Sequence, residues 1–586
     1  MADAPPGPVH RYRTLLTTYL GPQRRRVGVL AALLLTSIGL QVANPLVLRS
    51  YIDRAAAREP LAGLLTAAAI FLTVAVVLQV VRIVATYFAE NVGWIATNAL
   101  RTDLARHCLA LDMSFHQERG PGELIERVDG DVTELANFFS QSLLVVLGNA
   151  LLTVGILVAL LLTDWRIGLV LAAYVVIAVV VLSQVRGIAT RVWARARQAS
   201  ALQFGFLEER LVALEDIRPL GAGGHVLDRL AGLGADLLDA QRAARLRTNL
   251  VFIALHSTYV LAYGGGLALG AFLYVDHVAT IGTVYLVVAY VAALYVPIDE
   301  LRAQIQDLQA AAASVERVTG VLAVVPSVRD GRGARPAPGP LAIEFDGVSF
   351  AYGPDRPTVL DDLTFAVPAG RVLGLLGRTG SGKTTITRLV WRLHDPTRGA
   401  VRLGGVDVRD MRLADLRGWV GVVTQDVQLF HGTVRDNLTL FDTGVSDAAI
   451  RSAIEQLGLE TWYRGLSNGL DTMLDSRAAG LSAGEAQLLS LTRILLARPR
   501  LVVLDEPASR LDPGTETLLE SALSALLRDR TGIIVAHRLS TVERVDDIMV
   551  LEGGRVREHG PRAALSADPS SAFARLLRVG LEEVAG

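Results

Sequence analysis

The chain has 586 residues, 51% of them hydrophobic and only 20% charged, with a mean hydropathy of +0.39. That length exceeds one ordinary soluble domain, and the composition excludes a disordered chain and calls for membrane spans. Basic and acidic residues nearly cancel, 57 against 58, so no net charge directs the chain to nucleic acid, and the lone Cys108 excludes an internal disulfide or a cysteine metal cluster.

In chain order, six apolar runs come first: Val27–Leu48, Leu61–Phe88, Leu143–Leu162, Ile167–Val185, Leu250–Val275 and Ile281–Ile298. Each is about the 20 residues that a bilayer-crossing helix needs. Buried helices of a large soluble core are the alternative, which six such runs in succession disfavour. The gaps Arg49–Pro60, Thr163–Arg166 and Asp276–Thr280 are short, whereas Ala89–Ser142 and Arg186–Asn249 are long. Arginines collect before the first run (Arg11, Arg13, Arg24, Arg25, Arg26) and in the second long gap. This bias puts the N-terminus and both long gaps on the cytoplasmic side of a multi-pass protein in the cell membrane. The first run is too long for a signal peptide, and no small-residue cleavage pattern follows it.

The long gaps read as helical extensions, since Arg186–Gln203 and Leu230–Leu246 are rich in Ala, Arg, Leu and Gln. Breaks are expected at Gln117–Gly122 and Leu220–Gly224. Within the spans, Gln41, Asn44, Gln79, Arg82, Asn149 and His256 are polar, and Tyr259, Tyr263, Tyr285, Tyr290 and Tyr295 gather in the last two. Such groups face a cavity or a neighbouring helix, so substrate contact and interhelical bonding both remain open.

Beyond a Pro- and Gly-rich stretch, Pro326–Pro340, short β-rich runs alternate with helical ones. The buried strand Leu373–Gly377 leads into Gly377-Arg378-Thr379-Gly380-Ser381-Gly382-Lys383-Thr384-Thr385 and then a helical run. Strand, GxxxxGKT and helix make a phosphate-binding loop in its required context. Its backbone N–H groups and the helix N-terminus receive phosphates, Lys383 reaches the β- and γ-phosphates, and Thr384 is placed to ligate Mg2+. Lys383 is the only lysine in the chain. Codon bias explains the arginines but not this exception: a loop built for a compact ammonium cannot accept a planar guanidinium. A second strand, Leu501–Leu504, ends in Asp505-Glu506, placed to hold the metal shell and to polarise the attacking water.

Between these elements stands Leu481-Ser482-Ala483-Gly484-Glu485, which resembles the LSGGQ signature of ABC (ATP-binding cassette) transporters. The resemblance covers about Leu341 to Leu577 in motif order, and six spans ahead of one cassette extend it to the exporter-type half-transporters. It implies that Tyr352 stacks on adenine and that Gln425 is the Q-loop glutamine on the metal shell. It makes Ser509 and Asp512 the D-loop and His537 the switch histidine. The two breaks would then be coupling helices.

The implied organisation is a cytoplasmic segment (1–26), a six-helix α-helical membrane domain (27–322), a linker (323–340) and an α/β P-loop NTPase cassette (341–586). The implied function is ATP-driven transport, outward, of an amphipathic solute, peptide or lipid, with ATP and Mg2+ as cofactors. The rivals are import of a siderophore-like molecule and a regulatory ATPase that moves no solute. The signature departs from the family pattern at Ala483 and Glu485. The segment Thr472–Ala478 lacks the glutamate usual before the signature. These departures favour a heterodimer with a second half-transporter over a homodimer.

Overall fold

The computed structural model describes residues 8–353, 355–424, 427–474, 481–505, 513–536 and 542–585. Two compact units result: Met1–Leu109 with Pro121–Val324, and Ala110–Gly120 with Val325–Gly586.

The first unit is helical. Its long helices are α1 (Arg24–Ala56), α2 (Leu61–Ala110), α3 (Leu143–Thr163), α4 (Trp165–Val212), α5 (Gly223–Val275) and α6 (Ile281–Leu322). Among the described residues, five helical stretches are long and apolar enough to cross a bilayer: Tyr12–Ala56, Leu61–Ala110, Pro121–Thr163, Gly223–Val275 and Ile281–Glu300. A shorter apolar stretch, Trp165–Val181, opens α4. Leu61, Leu72 and Ile83 are 70%, 64% and 62% exposed, which suits a lipid-facing surface where the backbone bonds are satisfied within the helix. The 50 residues of α2 extend about 75 Å at 1.5 Å per residue, more than twice the hydrocarbon thickness, so α2 continues far beyond the apolar layer.

Helix-spaced side chains make this unit's core. Leu152, Ile156 and Leu160 of α3, Ile167, Leu171 and Ala178 of α4, and Leu286, Tyr290 and Leu294 of α6 are buried together. Short connections need precise caps. Asp164 accepts a hydrogen bond from the Arg166 N–H at the start of α4, and Thr280 accepts one from Thr283 at the start of α6. The Asp53 carboxylate accepts from the Gly282 N–H at 2.8 Å and the Thr280 hydroxyl at 2.9 Å, tying the end of α1 to the start of α6. A Cβ at Gly282 would lie 2.5 Å from both the Arg49 carbonyl oxygen and Asp53, so only glycine allows this approach.

The first long gap is less regular than composition suggests. Residues Glu126–Asp131 and Phe138–Ser142 form π-helical turns. The buried Asp131 explains the first. Its carboxylate accepts from Arg317, from Ser314 at 2.9 Å and from Arg127 at 3.1 Å, drawing the widened turn onto α6. The expected breaks appear as a short helix, Met113–Glu118, ending in extended Arg119, and as the interval between Val212 and Gly223, which holds one helical turn, Leu214–Ile217.

The second unit is an α/β domain. A four-stranded antiparallel sheet has the order β2-β1-β4-β5, from β1 (Ile343–Phe350), β2 (Leu360–Val367), β4 (Arg398–Leu403) and β5 (Val406–Asp407). A six-stranded sheet has the order β12-β11-β3-β10-β9-β6. Its strands are β3 (Val372–Gly377), β6 (Val420–Val423), β9 (Leu501–Asp505), β10 (Thr531–Val535), β11 (Asp547–Glu552) and β12 (Arg555–Pro561). Two short strands, β7 (Gly432–Thr433) and β8 (Met473–Leu474), pair separately. In the larger sheet only β12 is antiparallel. Continuous apolar strands are what a parallel sheet covered on both faces requires: Leu501 and Val503 enter one core, Val502 and Leu504 the other.

The Pro- and Gly-rich segment runs as an ordered strap on this unit. The Gly331 N–H donates to the Met411 carbonyl, those of Gly333 and Ala334 donate to Asp410, and the Arg500 guanidinium donates to the Ala337 and Gly339 carbonyls. Prolines hold the chain extended there, leaving these backbone groups free to bond sideways. In the same unit the Asp112 carboxylate accepts from the Ser327 and Val328 N–H groups at 2.6 and 3.2 Å.

Candidate functional site

The parallel register brings the motif-bearing strand ends to one edge. Leu375 of β3 stands opposite Val535 of β10, Val535 opposite Asp505 of β9, and Leu504 of β9 opposite Val423 of β6. From the carboxyl ends of these strands the chain continues into the glycine-rich loop, into residue 537, into Asp505-Glu506 and into residue 425. Ligands of open α/β sheets bind outside such an edge.

The loop itself is described in full. Gly377, Gly380 and Gly382 have φ of 149°, 82° and 105°, values that L side chains rarely adopt. A Cβ on Gly377 would meet the Leu551 carbonyl oxygen at 2.4 Å, and one on Gly382 would meet Leu360 at 2.5 Å. Glycine therefore lets the loop curl tightly against β11 and β2. Inside the curl, the 6% exposed Lys383 donates from Nζ to the Gly377 carbonyl at 2.6 Å and the Arg378 carbonyl at 3.2 Å. Its ammonium is thus drawn across the loop mouth. The Ser381 hydroxyl is buried with no hydrogen-bond partner among the described residues, while the Thr384 side chain is exposed on the first turn of α7 (Lys383–Val390).

These features fit a polyphosphate. The unpartnered Ser381 hydroxyl, the ammonium and the N-terminus of α7 all favour clustered negative charge. Thr384 and Asp505 offer hard oxygen donors of the kind that Mg2+ accepts. A cavity of about 840 Å³ adjoins the loop and is also lined by Ala536, Val550, Arg557 and Phe573.

Tyr352 is held by its hydroxyl, which hydrogen-bonds Thr385 and accepts from Arg388, both at 3.0 Å. Its ring meets Phe350 and His394 edge-on, with centroids 4.9 and 5.3 Å apart. Burial and the Arg388 guanidinium hold the His394 imidazole below its usual pKa, so it packs there as the neutral ring. Arg388 and His394 as supports of Tyr352 escape a motif reading; the one available signal is Arg388 lying three residues after Thr385, on the same face of the helix.

Ser482 is the N-cap of α8 (Ala483–Ala497), with Gly484 buried in its first turn and Leu481 packed against the core. The Ser482 hydroxyl accepts from the Glu485 N–H at 3.2 Å, and the Glu485 carboxylate accepts from the Ser482 N–H at 2.7 Å. This is a complete capping box. Glu485 therefore does not point away from the anion-attracting end of the helix but sits on it.

Gln425, Glu506, Ser509, Asp512 and His537 lie outside the described residues, as does most of the departing segment before the signature, residues 475–478.

Comparison with known proteins gives the same division of the chain. Residues 27–298 match the ABC transporter transmembrane region and residues 360–509 match the ABC transporter domain. An ATP-dependent lipid A-core flippase of Haemophilus influenzae is 30% identical over 502 residues, 82% of this chain and 83% of the flippase. A multidrug efflux ATP-binding/permease protein of Mycobacterium bovis is 31% identical over 96% of this chain but 47% of its own length. The structure of a bacterial Atm1-family ABC exporter with ATP bound superimposes with a TM-score of 0.80 at 25% identity, covering 95% of this chain and 98% of that one. A membrane-spanning helical domain is thus fused to an ATP-hydrolysing cassette, and the chain belongs to the ABC transporter family.

Proposed function

We propose that this chain is one half of an ATP-driven exporter that carries an amphipathic solute outward across the cell membrane by alternating access. The observation that carries the reading is the carboxyl edge of the parallel sheet, where the glycine-rich loop with its inward ammonium lies in register with the Asp505 strand end. Relatives named as exporters and flippases support the direction.

The residues divide the work. The backbone of Gly377–Thr385, including Arg378, Thr379, Gly380 and Ser381, wraps the phosphates, and Lys383 exchanges its carbonyl partners for the β- and γ-phosphates. Tyr352, fixed in advance by Thr385 and Arg388, presents its ring to adenine. Mg2+ held by Thr384 and Asp505, with Gln425, would neutralise charge on the β- and γ-phosphates. Glu506 orients the attacking water and His537 steadies the γ-phosphate. Leu481, Ser482, Ala483, Gly484 and Glu485 close on ATP held by a second cassette, with the D-loop residues Ser509 and Asp512 beside that contact. Bound ATP thus joins two cassettes, and hydrolysis releases them. The segments Met113–Glu118 and Val212–Gly223 pass the motion to the spans.

The test is uptake into inverted vesicles. ATP-dependent accumulation of an amphipathic compound, lost in Lys383→Ala, is the expected result. ATPase activity that no compound stimulates, with no accumulation, would favour a regulatory ATPase.

A heterodimer is the second part of the proposal, and the Ser482–Glu485 capping box favours it. A carboxylate already bonded to the Ser482 N–H competes with a γ-phosphate for the same donor and repels it. This chain's signature would then make the weaker half of a composite site, while its own loop needs an intact signature from a different partner. Expressing the chain alone decides the matter: a two-fold dimer with full substrate-stimulated ATPase activity would exclude the heterodimer.

A further inference from the structure

Helices α1, α2, α3 and α6 of the membrane unit line an open-sided cavity of about 770 Å³. Much of its wall is aliphatic, including Leu30, Leu34, Ile38, Leu78, Leu152 and Ile156. Three charged side chains also line it: Arg82, Glu90 and Glu300. Arg82 donates to the Gln41 side-chain oxygen at 2.5 Å, and Asn149 donates to the Glu300 carboxylate at 2.6 Å. Arg82 and Glu300 are thus each held by a neutral amide from a neighbouring helix. The side-chain oxygen of Asn44, in the same wall, is buried and has no hydrogen-bond partner among the described residues.

Depth adds to the argument. Arg82 lies roughly 30 Å along α2 from Leu61, and Glu300 lies roughly the same distance along α6 from Ile281, taking 1.5 Å per residue. Both helices start from short outer connections, so the two charges stand at one level toward the cytoplasmic side. That distance is about the full hydrocarbon thickness, so both charges lie at its cytoplasmic boundary, the level at which an amphiphile carries its polar head. An amide orients such a charge but leaves it unneutralised, so a ligand that brings the opposite charge gains free energy on entering the cavity.

We propose that this cavity is a binding site for a zwitterionic amphiphile. A phosphate or carboxylate of the ligand bonds to the Arg82 guanidinium, an ammonium bonds to Glu300, and an apolar body lies along the leucine and isoleucine wall. Gln41 and Asn149 aim the two charges. This rests on the reading of the chain as a transporter and names the substrate class of its membrane unit. The chemistry is shared by a phosphoethanolamine lipid and a short peptide with free termini.

The experiment uses the full transporter with its partner in uncharged maltoside micelles. ATPase activity is titrated with lysophosphatidylethanolamine, lysophosphatidic acid, dodecylamine, dodecanol and leucyl-phenylalanine. One of the two zwitterions should half-saturate at about tenfold lower concentration than any singly charged or neutral probe, and which one does so identifies the source. Arg82→Ala should erase the preference for probes carrying an anion, and Glu300→Gln that for probes carrying an amine. Arg82→Lys should keep the preference, which separates a lost charge from a lost fold. Equal half-saturation by dodecanol and both zwitterions in the parent overturns the proposal but leaves transport intact. Unchanged half-saturation in both neutralised variants overturns it too. A failure of the transport reading looks different: no probe stimulates at all.

Discussion

The two units carry their chemistry in different parts of the chain. In the cassette it lies in the backbone: positive-φ glycines, strand ends in register and a helix N-terminus shape the site, and side chains such as Lys383 complete it. In the membrane unit the backbone bonds are consumed within the helices, so any specificity falls to a few polar side chains such as Arg82 and Glu300 on otherwise aliphatic surfaces. Backbone sites need fixed spacing, which a linear sequence displays. Side-chain sites need only a shared cavity, which it hides.

Breaking the cassette at its chemistry should have the largest effect. Glu506→Gln is expected to bind ATP and hold closed cassettes while turnover at its own site falls by about a hundredfold to ten-thousandfold. Hydrolysis resolved by site, with the partner's site disabled, measures this. Turnover near the parent's rate would remove Glu506 from its role.

Lys383 sharpens the same point. Its ammonium fits between the Gly377 and Arg378 carbonyls, inside a loop pressed against Leu551 and Leu360. A guanidinium is wider and planar, so Lys383→Arg should lose on the order of a hundredfold in turnover, nearly as much as Lys383→Ala. A mostly active arginine variant would reduce the single lysine to a matter of codon usage.

How much was legible follows from this contrast. The glycine-rich loop, its strand and its helix read directly, because GxxxxGKT fixes both local conformation and charge. The apolar runs read directly too. The neighbours of Tyr352 did not, since Phe350, Arg388 and His394 converge on it from three separate elements. Gln41, Asn44, Arg82 and Asn149 stood out as polar residues in apolar runs, but Glu300 falls two residues beyond the last run and did not. Among the tyrosines, Tyr290 donates to the Val42 carbonyl at 2.6 Å and so bonds helix to helix, while Tyr259 and Tyr295 pack with His256. Sequence treats these tyrosines alike, and only packing separates them. The π-helical turn at Glu126–Asp131 was hidden for the same reason: its cause, Arg317, lies far along the chain.

That turn yields the third test, on the membrane side. Asp131 is 2% exposed and gathers Arg317, Ser314 and Arg127. Asp131→Ala leaves two guanidinium groups and a hydroxyl without their acceptor, which should cost about 2 kcal/mol or more. A thermal unfolding midpoint lowered in detergent is the expected observation. An unchanged midpoint would mean that the network adds nothing beyond the packing of α6.

The smallest effect concerns Glu485, where the two kinds of chemistry meet in one residue. Its carboxylate caps a backbone N–H, as the cassette's backbone logic demands, yet its charge lies where a signature should receive phosphate. Glutamine can make the same capping box, so Glu485→Gln should cost only the charge–dipole part of the cap, about 0.3–1 kcal/mol of helix stability. If the charge also weakens the signature, the variant should hydrolyse ATP faster at the site this signature completes. The gain should shrink as salt rises, because mobile ions already screen the parent's carboxylate. Turnover at low and high ionic strength, measured beside the thermal midpoint, separates the two contributions. Slower turnover at both salt concentrations would show that the carboxylate helps to hold the nucleotide site together, and the argument for an unequal pair of sites would lose its physical basis.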